Sequence, residues 1–488
     1  MTTTTLTGAR KEPPQVLSAL KAAPTQAADW VMNEFAQAAL PDQRLQRRLE
    51  LMVTAFAQKP SAPIPEACPD WAEAKAAYRF LANERIVSGS LRQAHHHATL
   101  QRIKERRVVL AIQDTTALNY STHPKTKGLG PLGSHSPKVI GLLLHSTLAV
   151  TPEGQPLGFM HNAVRVRGGQ RLRASRHQRK LTQKESFKWV ESLQACQALA
   201  PQCPETLLVN LADREGDLYD LFAEALNASS PAKVHVLVRA RHDRPLVDTE
   251  HTLWPEVDRQ RVAATLSVLV GRRGDQPSRV ARLSVRFCRV QLQAPARNAG
   301  QPIQLWAIAA EESSPVPKGG ARIHWRLLTT LPVTCATEAI EKVRWYAQRW
   351  QIEVLHKVLK SGCQIEQRQL ETAQRLERVL SVDLVVAWRV LALCKAARQT
   401  PDDPVSNWLP QAQWQALCCY AQQRTIPPKT APGVRQAVRW LAQMGGFLGR
   451  KSDGEPGPQT LWRGLRQLEA ITDMWQLFHE KERSQKCG

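Results

Sequence analysis

The sequence predicts an α/β protein with a mixed β-sheet core, a β-rich insertion in that core, and all-helical regions at both ends. Two observations predict the core: apolar runs of strand length alternate with helical segments, and the runs are too continuously apolar for strands that face water. A third observation predicts the helical regions at both ends: apolar residues recur there at helical spacing. The 488 residues are enough for about three domains.

The N-terminal part of the chain combines a polar tail with a helical region. Residues 1–26 are rich in Thr, Pro and Ala, and we expect a disordered tail there. Residues 27–106 follow a helical pattern that includes the segment PDQRLQRRLELMVTAFAQK. Arg44, Arg47 and Arg48 project from this segment outside its apolar stripe. A basic helix face of this kind suits phosphate contacts or simply solvent.

The first part of the predicted core covers residues 107–244. Three strands are expected in VVLAIQD, VIGLLLHSTLAV and PLGFMHNAVRVR, followed by a helix, the strand TLLVNLAD, a second helix and the strand KVHVLVRAR. Two of these apolar runs end in an acid, Asp114 in the first and Asp213 in the fourth. The order of elements predicts a mixed sheet whose central strands are buried on both faces.

The remaining chain divides into three parts. Residues 245–322 consist mainly of alternating, β-branched segments and are predicted to form a β-rich insertion. Residues 323–375 return to the core through RIHWRLLTTLP and continue into a helix that carries Glu353. Residues 376–488 again follow a helical pattern.

The stretch YAQRWQIEVLHKVLK carries an unusual set of polar residues. If it is one α-helix, Tyr346, Arg349, Glu353 and Lys360 fall within a stripe of about 60°. All four side chains could then point at a single object. A polar stripe can also simply face solvent, so the stretch alone does not decide between these interpretations.

Asp114, Asp213 and Glu353 are candidate metal ligands. Carboxylates at the ends of buried strands are poorly solvated, and a divalent cation is a common reason to retain them. Mg²⁺ prefers oxygen ligands, and two ions about 4 Å apart can activate a nucleophile and stabilise the leaving oxygen of a phosphoryl displacement. The alternative is that the two aspartates cap helices or stabilise turns.

The charge balance favours a polyanionic partner. Lys and Arg number 66 against 43 Asp and Glu, which gives a net charge of +23 spread along the chain. Nucleic acid is the simplest such partner, and an anionic membrane surface is a weaker alternative because no long apolar run is present. The N-terminus lacks the pattern of a secretory signal, and the ten cysteines show no CxxC pairs. We therefore expect a cytoplasmic protein with reduced thiols.

Three motifs carry a resemblance to a known family. QDTTALNY, LADREGD and YAQRWQIEVLHKVLK resemble the catalytic motifs of the cut-and-paste DDE transposases of the insertion-sequence-four family, most nearly its transposon-five group. The third motif matches the signature Tyr, two residues, Arg, three residues, Glu, six residues, Lys at Tyr346, Arg349, Glu353 and Lys360. With ADWVMNEFAQAALPDQR, AAYRFLANE and GGFLGRK, the similarity spans roughly residues 27–480.

The resemblance implies a fold and an activity. It implies a ribonuclease-H-like core in which Asp114, Asp213 and Glu353 bind Mg²⁺, two ions per active site, with Mn²⁺ as a substitute. Such enzymes bind the inverted repeats at transposon ends, nick them by hydrolysis, form and open a DNA hairpin, and join the 3′ ends to target DNA. The N-terminal helices would bind the ends, and residues 376–488 would form the homodimer in the synaptic complex. The resemblance also implies that the protein is located in the bacterial cytoplasm and associates with the nucleoid when it binds DNA.

The resemblance also assigns roles to further residues. Tyr346, Arg349 and Lys360 match residues that hold the phosphate beside a flipped base, and Trp325 lies where the family places the aromatic that stacks on that base. A core tryptophan in a strand is the alternative for Trp325. The other DNA contacts implied are basic and lie in two groups, Arg239, Arg241 and Arg244 at a strand end, and Arg44, Arg47 and Arg48 in the end-binding region.

Three points stay open at the level of sequence. Glu215 and Asp217 lie close enough to Asp213 to exchange roles with it, although only Asp213 closes an apolar run. A DNA-binding regulator would keep the basic surface without catalysis. A metal nuclease that cuts but does not join would explain the acids, but neither Trp325 nor a dimerisation region.

Overall fold

The computed structural model of the protein describes residues 29–133, 138–168, 181–227, 233–247, 249–270, 279–295, 301–316, 320–450 and 453–486. The predicted tail, residues 1–26, lies outside these residues. In the described ranges the protein is mixed α/β, with one large sheet between helical N-terminal and C-terminal regions. This confirms the predicted α/β class and the two helical flanks.

The N-terminal region is helical, as the spacing of its apolar residues predicted. Two of its helices begin at a capping aspartate: Asp42 accepts a hydrogen bond from the backbone of Leu45, and Asp70 accepts one from that of Glu73. The helices are α1 (Asp29–Phe35), α2 (Gln43–Gln58), α3 (Ile64–Ala67), α4 (Trp71–Ala82) and α5 (Ser88–Lys104).

The sheet holds every strand of the described chain. The strands are β1 (Val108–Asn119), β2 (Gly130–Pro131), β3 (Ile140–Val150), β4 (Pro156–Arg165), β5 (Leu207–Ala212), β6 (His235–Arg239), β7 (Ala264–Val270), β8 (Arg279–Leu292), β9 (Ile303–Glu312) and β10 (His324–Thr329). Their spatial order is β2, β3, β1, β5, β6, β10, β9, β8, β7, and β4 also pairs with β3.

Strand direction divides the sheet into two parts. β1, β3 and β4 form an antiparallel set, while β5 and β6 run parallel to β1. β10 joins β6 in antiparallel orientation, and β9, β8 and β7 continue from it. The predicted β-rich insertion therefore extends the same sheet as the core, with β10 between them.

The helices after the first sheet strands are α6 (Phe187–Leu199), α7 (Tyr219–Ala225), α8 (Leu253–Asp258), α9 (Ala336–Ala347), α10 (Gln351–Lys357), α11 (Ala373–Gln399), α12 (Gln411–Gln422), α13 (Val434–Met444) and α14 (Pro458–Lys486). α11 is buried along most of its length and contacts α5, β4 and α13, so it joins the N-terminal helices, the sheet and the C-terminal helices. No helix of the described ranges combines the length and the apolar character that a membrane span needs.

Both faces of the central strands are buried, as the continuous apolar runs predicted. Leu110 and Ile112 of β1 pack into one apolar cluster with residues of α10 and α11, whereas Val109 and Ala111 pack into a second cluster with α6. Side chains alternate along a strand, so β1 contributes to both clusters. α6 therefore covers one face of the sheet, and α10 and α11 cover the other.

Candidate active site

The register of two parallel strands places two of the predicted acids side by side. β1 pairs with β5 from Val108 opposite Leu207 to Ile112 opposite Leu211. Continuing this register by two residues brings Asp114 level with Asp213. Asp213 follows the last residue of β5, and its carboxylate accepts a hydrogen bond from the Glu215 backbone at the start of a short 3₁₀ turn. Both acids therefore lie at the edge where β5 ends.

The prediction that Asp114 ends its strand is wrong. β1 continues to Asn119 because β3 goes on pairing with it on the other side. What ends near Asp114 is the neighbouring strand β5, at Ala212. The apolar run of β1 stops near Asp114 because β5 no longer pairs with β1 beyond that point. The end of the run therefore indicates where β5 ends, and not where β1 ends.

Burial changes the acidity of Asp114. The pKa of its carboxyl group is raised from 3.8 to about 6, mainly by burial and also by the negative charges of Asp213 and Glu353. A hydrogen bond from the Thr115 backbone and the charge of Arg349 act in the opposite direction. The charges of Asp213 and Glu353 are thus near enough to act on the Asp114 carboxyl group.

The stretch that carries Glu353 is not the single α-helix that the stripe assumed. α9 ends at Ala347, a 3₁₀ turn follows at Gln348–Trp350, α10 comes next, and a π-helical turn covers Val358–Gly362. The 3₁₀ turn winds more tightly than an α-helix and the π turn more widely, so the angular positions calculated for an ideal helix do not apply. The 3₁₀ turn and α10 both pack on β1, and this packing brings Arg349 close to Asp114.

Arg349 joins two of the acids. Its guanidinium forms an ion pair with Glu353, and its Nη1 lies 3.8 Å from Asp114 Oδ2. Burial alone would lower the pKa of Arg349, but Tyr346, Glu353 and Asp114 raise it above its ordinary value. The buried Nη1 makes no hydrogen bond to any described residue. Over the same ranges, no three acidic, histidine or cysteine side chains lie close enough together to hold one metal ion.

Tyr346 and Trp325 lie against each other. Their rings meet edge to face, with centroids 5.5 Å apart and planes at 73°. Tyr346 is buried, while Trp325 on β10 is only half-buried and packs against the larger apolar cluster. The Tyr346 hydroxyl also interacts with Arg239 and Arg349. Trp325 is thus next to the signature residues, and it contributes to the core at the same time.

Lys360 reaches β1 from the π turn. Its ammonium donates a hydrogen bond to the backbone carbonyl of Ala117 and lies 3.6 Å from Glu366 Oε1. These contacts place Lys360 three residues along β1 from Asp114. Arg349 and Lys360 of the signature therefore both contact the β1 segment that carries the first acid.

A basic cleft lies beside the acids at the ends of β5 and β6. Its volume is about 610 Å³. Arg326 is held by Asp258 and Glu311, whereas Arg214 and Arg241 are exposed and make no ion pair with any described residue. Sequence reasoning missed Arg214, although it directly follows Asp213. The cleft is lined by Arg214, Arg239, Ala240, Arg241, Asp243, Trp254, His324 and Arg326.

Arg244 does not face this cleft as a free cation. Its Nη1 lies 2.7 Å from Asp217 Oδ1, and its other terminal nitrogen donates to the Asp217 carbonyl. The Asp217 side chain is fully buried and also accepts hydrogen bonds from the backbones of Arg241 and His242. This geometry assigns Arg244 a structural role and removes Asp217 as a substitute for Asp213.

Glu215 also forms an ion pair away from Asp114. Its carboxylate is exposed and lies 3.5 Å from the ammonium of the buried Lys188. Asp213 therefore remains the member of the LADREGD motif that is level with Asp114.

The three arginines of the N-terminal region differ in their surroundings. The Arg44 side chain is 93% exposed, and Arg47 is exposed as well. Arg48 forms an ion pair with Glu73, which links α2 to α4. Arg44 Nε also lies 3.8 Å from Asp42 Oδ1. Arg44 and Arg47 are therefore accessible at the surface, while Arg48 contributes to the contact between two helices.

Two family models match the ends of the chain. A model of the transposase DNA-binding domain matches residues 27–86, which include α1 to α4. A model of the dimerisation domain of the Tn5 transposase matches residues 385–477, from within α11 to within α14.

A solved structure, the synaptic complex of the piggyBac transposase with hairpin DNA, overlays on 77% of this chain and 75% of its own, at 8% identity and a TM-score of 0.34. With the DNA-binding domain of transposases matched at one end and the Tn5 dimerisation domain at the other, the chain resembles Tn5-like transposases in both of its helical end regions.

Proposed function

We propose that the protein is an active cut-and-paste transposase of the insertion-sequence-four family. It binds the inverted repeats at transposon ends, cleaves the DNA by hydrolysis through a hairpin intermediate, and joins the 3′ ends to target DNA. The observations that carry this proposal are the β1–β5 register, which brings Asp114 level with Asp213 when it is continued by two residues, and the link from Glu353 to Asp114 through Arg349. A protein that only bound DNA would have no need of three acids at one sheet edge.

The catalytic core of this proposal is ribonuclease-H-like. Support comes from the order of the strands: β1, β3 and β4 form an antiparallel set, and β5 and β6 then add parallel to β1. The helices α6 and α7 stand between β4, β5 and β6 in the chain, as parallel connections require.

Asp114, Asp213 and Glu353 are the proposed ligands of Mg²⁺, with Mn²⁺ as a substitute. Their donor chemistry fits, since Mg²⁺ prefers carboxylate oxygens. Their electrostatics fit as well, because the raised pKa of Asp114 reflects burial and neighbouring negative charge that a cation would offset. Two bound ions would stabilise the charge on the attacking and leaving oxygens of a phosphoryl displacement. No side chain has to act as a nucleophile.

Arg349, Tyr346 and Lys360 are the proposed phosphate clamp. The Arg349 Nη1 is a buried donor without a hydrogen bond in the described chain, and a phosphate oxygen beside the acids would satisfy it. The contact between Trp325 and Tyr346 supports a base-stacking role for Trp325, because a base flipped out next to the clamp would need an aromatic surface to cover it.

The basic cleft offers a path for the DNA strand that leaves the acids. Arg214 and Arg241 are exposed and unpaired by any described carboxylate, and the buried Arg239 Nε also lacks a partner there. Cations in such a groove bind phosphates without reading sequence. Sequence-specific contacts would then come from the N-terminal domain.

The homodimer would form through the C-terminal helices. The match to the Tn5 dimerisation domain supports this assignment. Met474, Leu477 and Phe478 on α14 are 53%, 56% and 61% exposed, and their spacing puts them on one side of the helix. A contiguous exposed apolar surface of this kind suits burial against a second subunit.

The test is incubation of the purified protein with Mg²⁺ and DNA that carries its flanking inverted repeats, followed on a denaturing gel. We expect nicked, hairpin and joined products in sequence. Asp114→Asn should abolish all three while end binding stays within a few-fold of the wild type. Binding without any product would identify a DNA-binding regulator, and nicks without joining would identify a nuclease.

A further inference from the structure

A buried polar network lies on the face of the sheet opposite the acids. Asp114 points to one face of β1, so its neighbours Gln113 and Thr115 point to the other, towards α6. His145 of β3 lies directly across from Thr115 in the antiparallel register. Its ring is 1% exposed and meets Trp189 of α6 edge to face at 5.0 Å.

His145 contacts both neighbours of Asp114. The Thr115 hydroxyl lies 2.8 Å from His145 Nδ1, and His145 Nε2 lies 2.9 Å from Gln113 Oε1. Gln113 then donates from Nε2 to Asn210 Oδ1 on β5, three residues before Asp213. The network thus crosses β3, β1 and β5 directly behind the strands that carry the two aspartates.

The donors and acceptors permit one consistent arrangement. Because Gln113 donates to Asn210 with its amide nitrogen, its carbonyl oxygen must accept, so His145 Nε2 carries the proton. His145 Nδ1 then accepts from the Thr115 hydroxyl. Burial lowers the pKa of His145 well below its ordinary value, which agrees with a neutral ring in this tautomer. Every bond has a defined direction, and such a network holds its members in one geometry.

We propose that His145 is a positioning residue, which holds β1 against β5 through Thr115, Gln113 and Asn210 and so sets the separation of the Asp114 and Asp213 carboxylates. This proposal rests on the proposed function, since it takes those carboxylates as ligands of a divalent cation. Hydrogen-bonded partners behind metal ligands commonly change metal affinity by about 10- to 100-fold when removed. His145 touches neither DNA nor metal in this role.

The two bonds of His145 can be removed separately. His145→Gln can place its amide donor near Gln113 Oε1, but it has no acceptor at the position of His145 Nδ1, which faces the Thr115 hydroxyl. Thr115→Val removes the hydroxyl from the other side of that bond, and Thr115→Ser restores it. A matched control is Thr147→Val, which removes another buried hydrogen bond of β3, between the hydroxyls of Thr147 and Ser192 at 2.5 Å. Thr147 lies opposite Gln113 in the β1–β3 register, but its hydroxyl bonds to Ser192 and not to Gln113.

The measurement is calorimetric titration of Mn²⁺ into each full-length variant, with Asp114→Asn as the baseline for unrelated binding. His145→Gln and Thr115→Val should bind Mn²⁺ about 10- to 100-fold more weakly than the wild type. Thr115→Ser should recover most of that loss. Thr147→Val should melt at a lower temperature, as the other variants do, but keep its Mn²⁺ affinity within about twofold.

The outcomes separate the two proposals. If the wild type binds Mn²⁺ at the Asp114-dependent site and His145→Gln and Thr115→Val bind it equally well, the positioning role is overturned and the proposed function stands. If Thr147→Val loses as much affinity as Thr115→Val, the effect is general destabilisation and the positioning role is also overturned. If the wild type binds no Mn²⁺ above the Asp114→Asn baseline, the proposed metal site fails, and the role of His145 fails with it.

Discussion

Arg349 and Glu353 form an ion pair across one turn of chain in the candidate active site, and the same guanidinium lies 3.8 Å from Asp114. The guanidinium of Arg349 therefore lies between two of the three acids. The pair joins the signature motif of the C-terminal half of the core to the first strand of the sheet.

The first prediction concerns this arginine. Arg349→Ala should slow nicking about 10²- to 10³-fold, the range typical for removing one donor to transition-state charge. Single-turnover cleavage of end DNA would measure it. Arg344→Ala, which removes an exposed arginine of the neighbouring helix α9, is the control and should cleave normally. Equal rates for the two variants would contradict the clamp role of Arg349.

The second prediction concerns Trp325. Trp325→Ala should accumulate nicked DNA with little hairpin, because the flipped base loses the ring that covers it, a contact worth about 1–3 kcal/mol. Trp325→Phe keeps an aromatic ring and should restore much of the hairpin. Gel analysis of the intermediates distinguishes them. A normal hairpin yield from Trp325→Ala would leave Trp325 with only its packing role.

The third prediction separates two arginines of one loop. Arg241→Ala should weaken DNA binding and reduce the slope of log affinity against log salt by about one, because one phosphate contact is lost. Arg244→Ala should leave that slope unchanged and instead lower the melting temperature, since it strands the buried Asp217. Fluorescence anisotropy at several salt concentrations gives the slopes. Loss of one unit of slope in Arg244→Ala would refute its structural role.

The fourth prediction concerns the buried ion pair of Arg368 and Asp383. Their side chains form two hydrogen bonds, of 3.0 and 3.1 Å. Asp383→Ala should lower the free energy of unfolding by about 3–5 kcal/mol, because the arginine stays buried without its partner. The exposed pair of Arg375 and Glu371 is the control, and Glu371→Ala should cost less than about 1 kcal/mol. Urea titration compares them, and similar losses would contradict the distinction.

The fifth prediction concerns acid stability. Burial alone would raise the pKa of Glu34, but Arg102 and His95 outweigh it and lower the pKa from 4.5 to about 2. Because the folded pKa lies below the unfolded one, Glu34 stabilises the protein above about pH 4.5, and this contribution is lost as the pH falls towards 2. Glu34→Gln should therefore lose stability at pH 6 and show less further loss between pH 4.5 and 3.

Urea unfolding at fixed pH values measures this dependence. Glu66→Gln, at an exposed position of α3, should follow the wild-type curve. If Glu34→Gln matched the wild type at pH 6, the ion pair of Glu34 with Arg102 would be of no consequence for stability.

Much of the architecture was predictable because it depends on local pattern. The apolar runs of β1, β3 and β5 and the helical spacing at both ends follow directly from periodicities of about two and 3.6 residues. The acids Asp114, Asp213 and Glu353 stood out because each combines charge with an apolar surrounding. The exposure of Arg214 and the structural role of Arg244 were not predictable in this way. Both are arginines close to a strand end, and what distinguishes them is that Arg244 is packed against the carboxylate of Asp217, which lies far from it in the sequence.

The sequence by itself determined the α/β class, the helical flanks, the excess of positive charge and the set of acids, because these depend on composition and on short-range spacing. Only the tertiary structure decided where β1 ends, how the stretch from Tyr346 to Lys360 breaks into 3₁₀, α and π turns, and which residues stand behind the acids. Those features depend on pairing between segments far apart in the chain. His145 lies 31 residues beyond Asp114, and no local pattern connects the two; the register of β1 with β3 does.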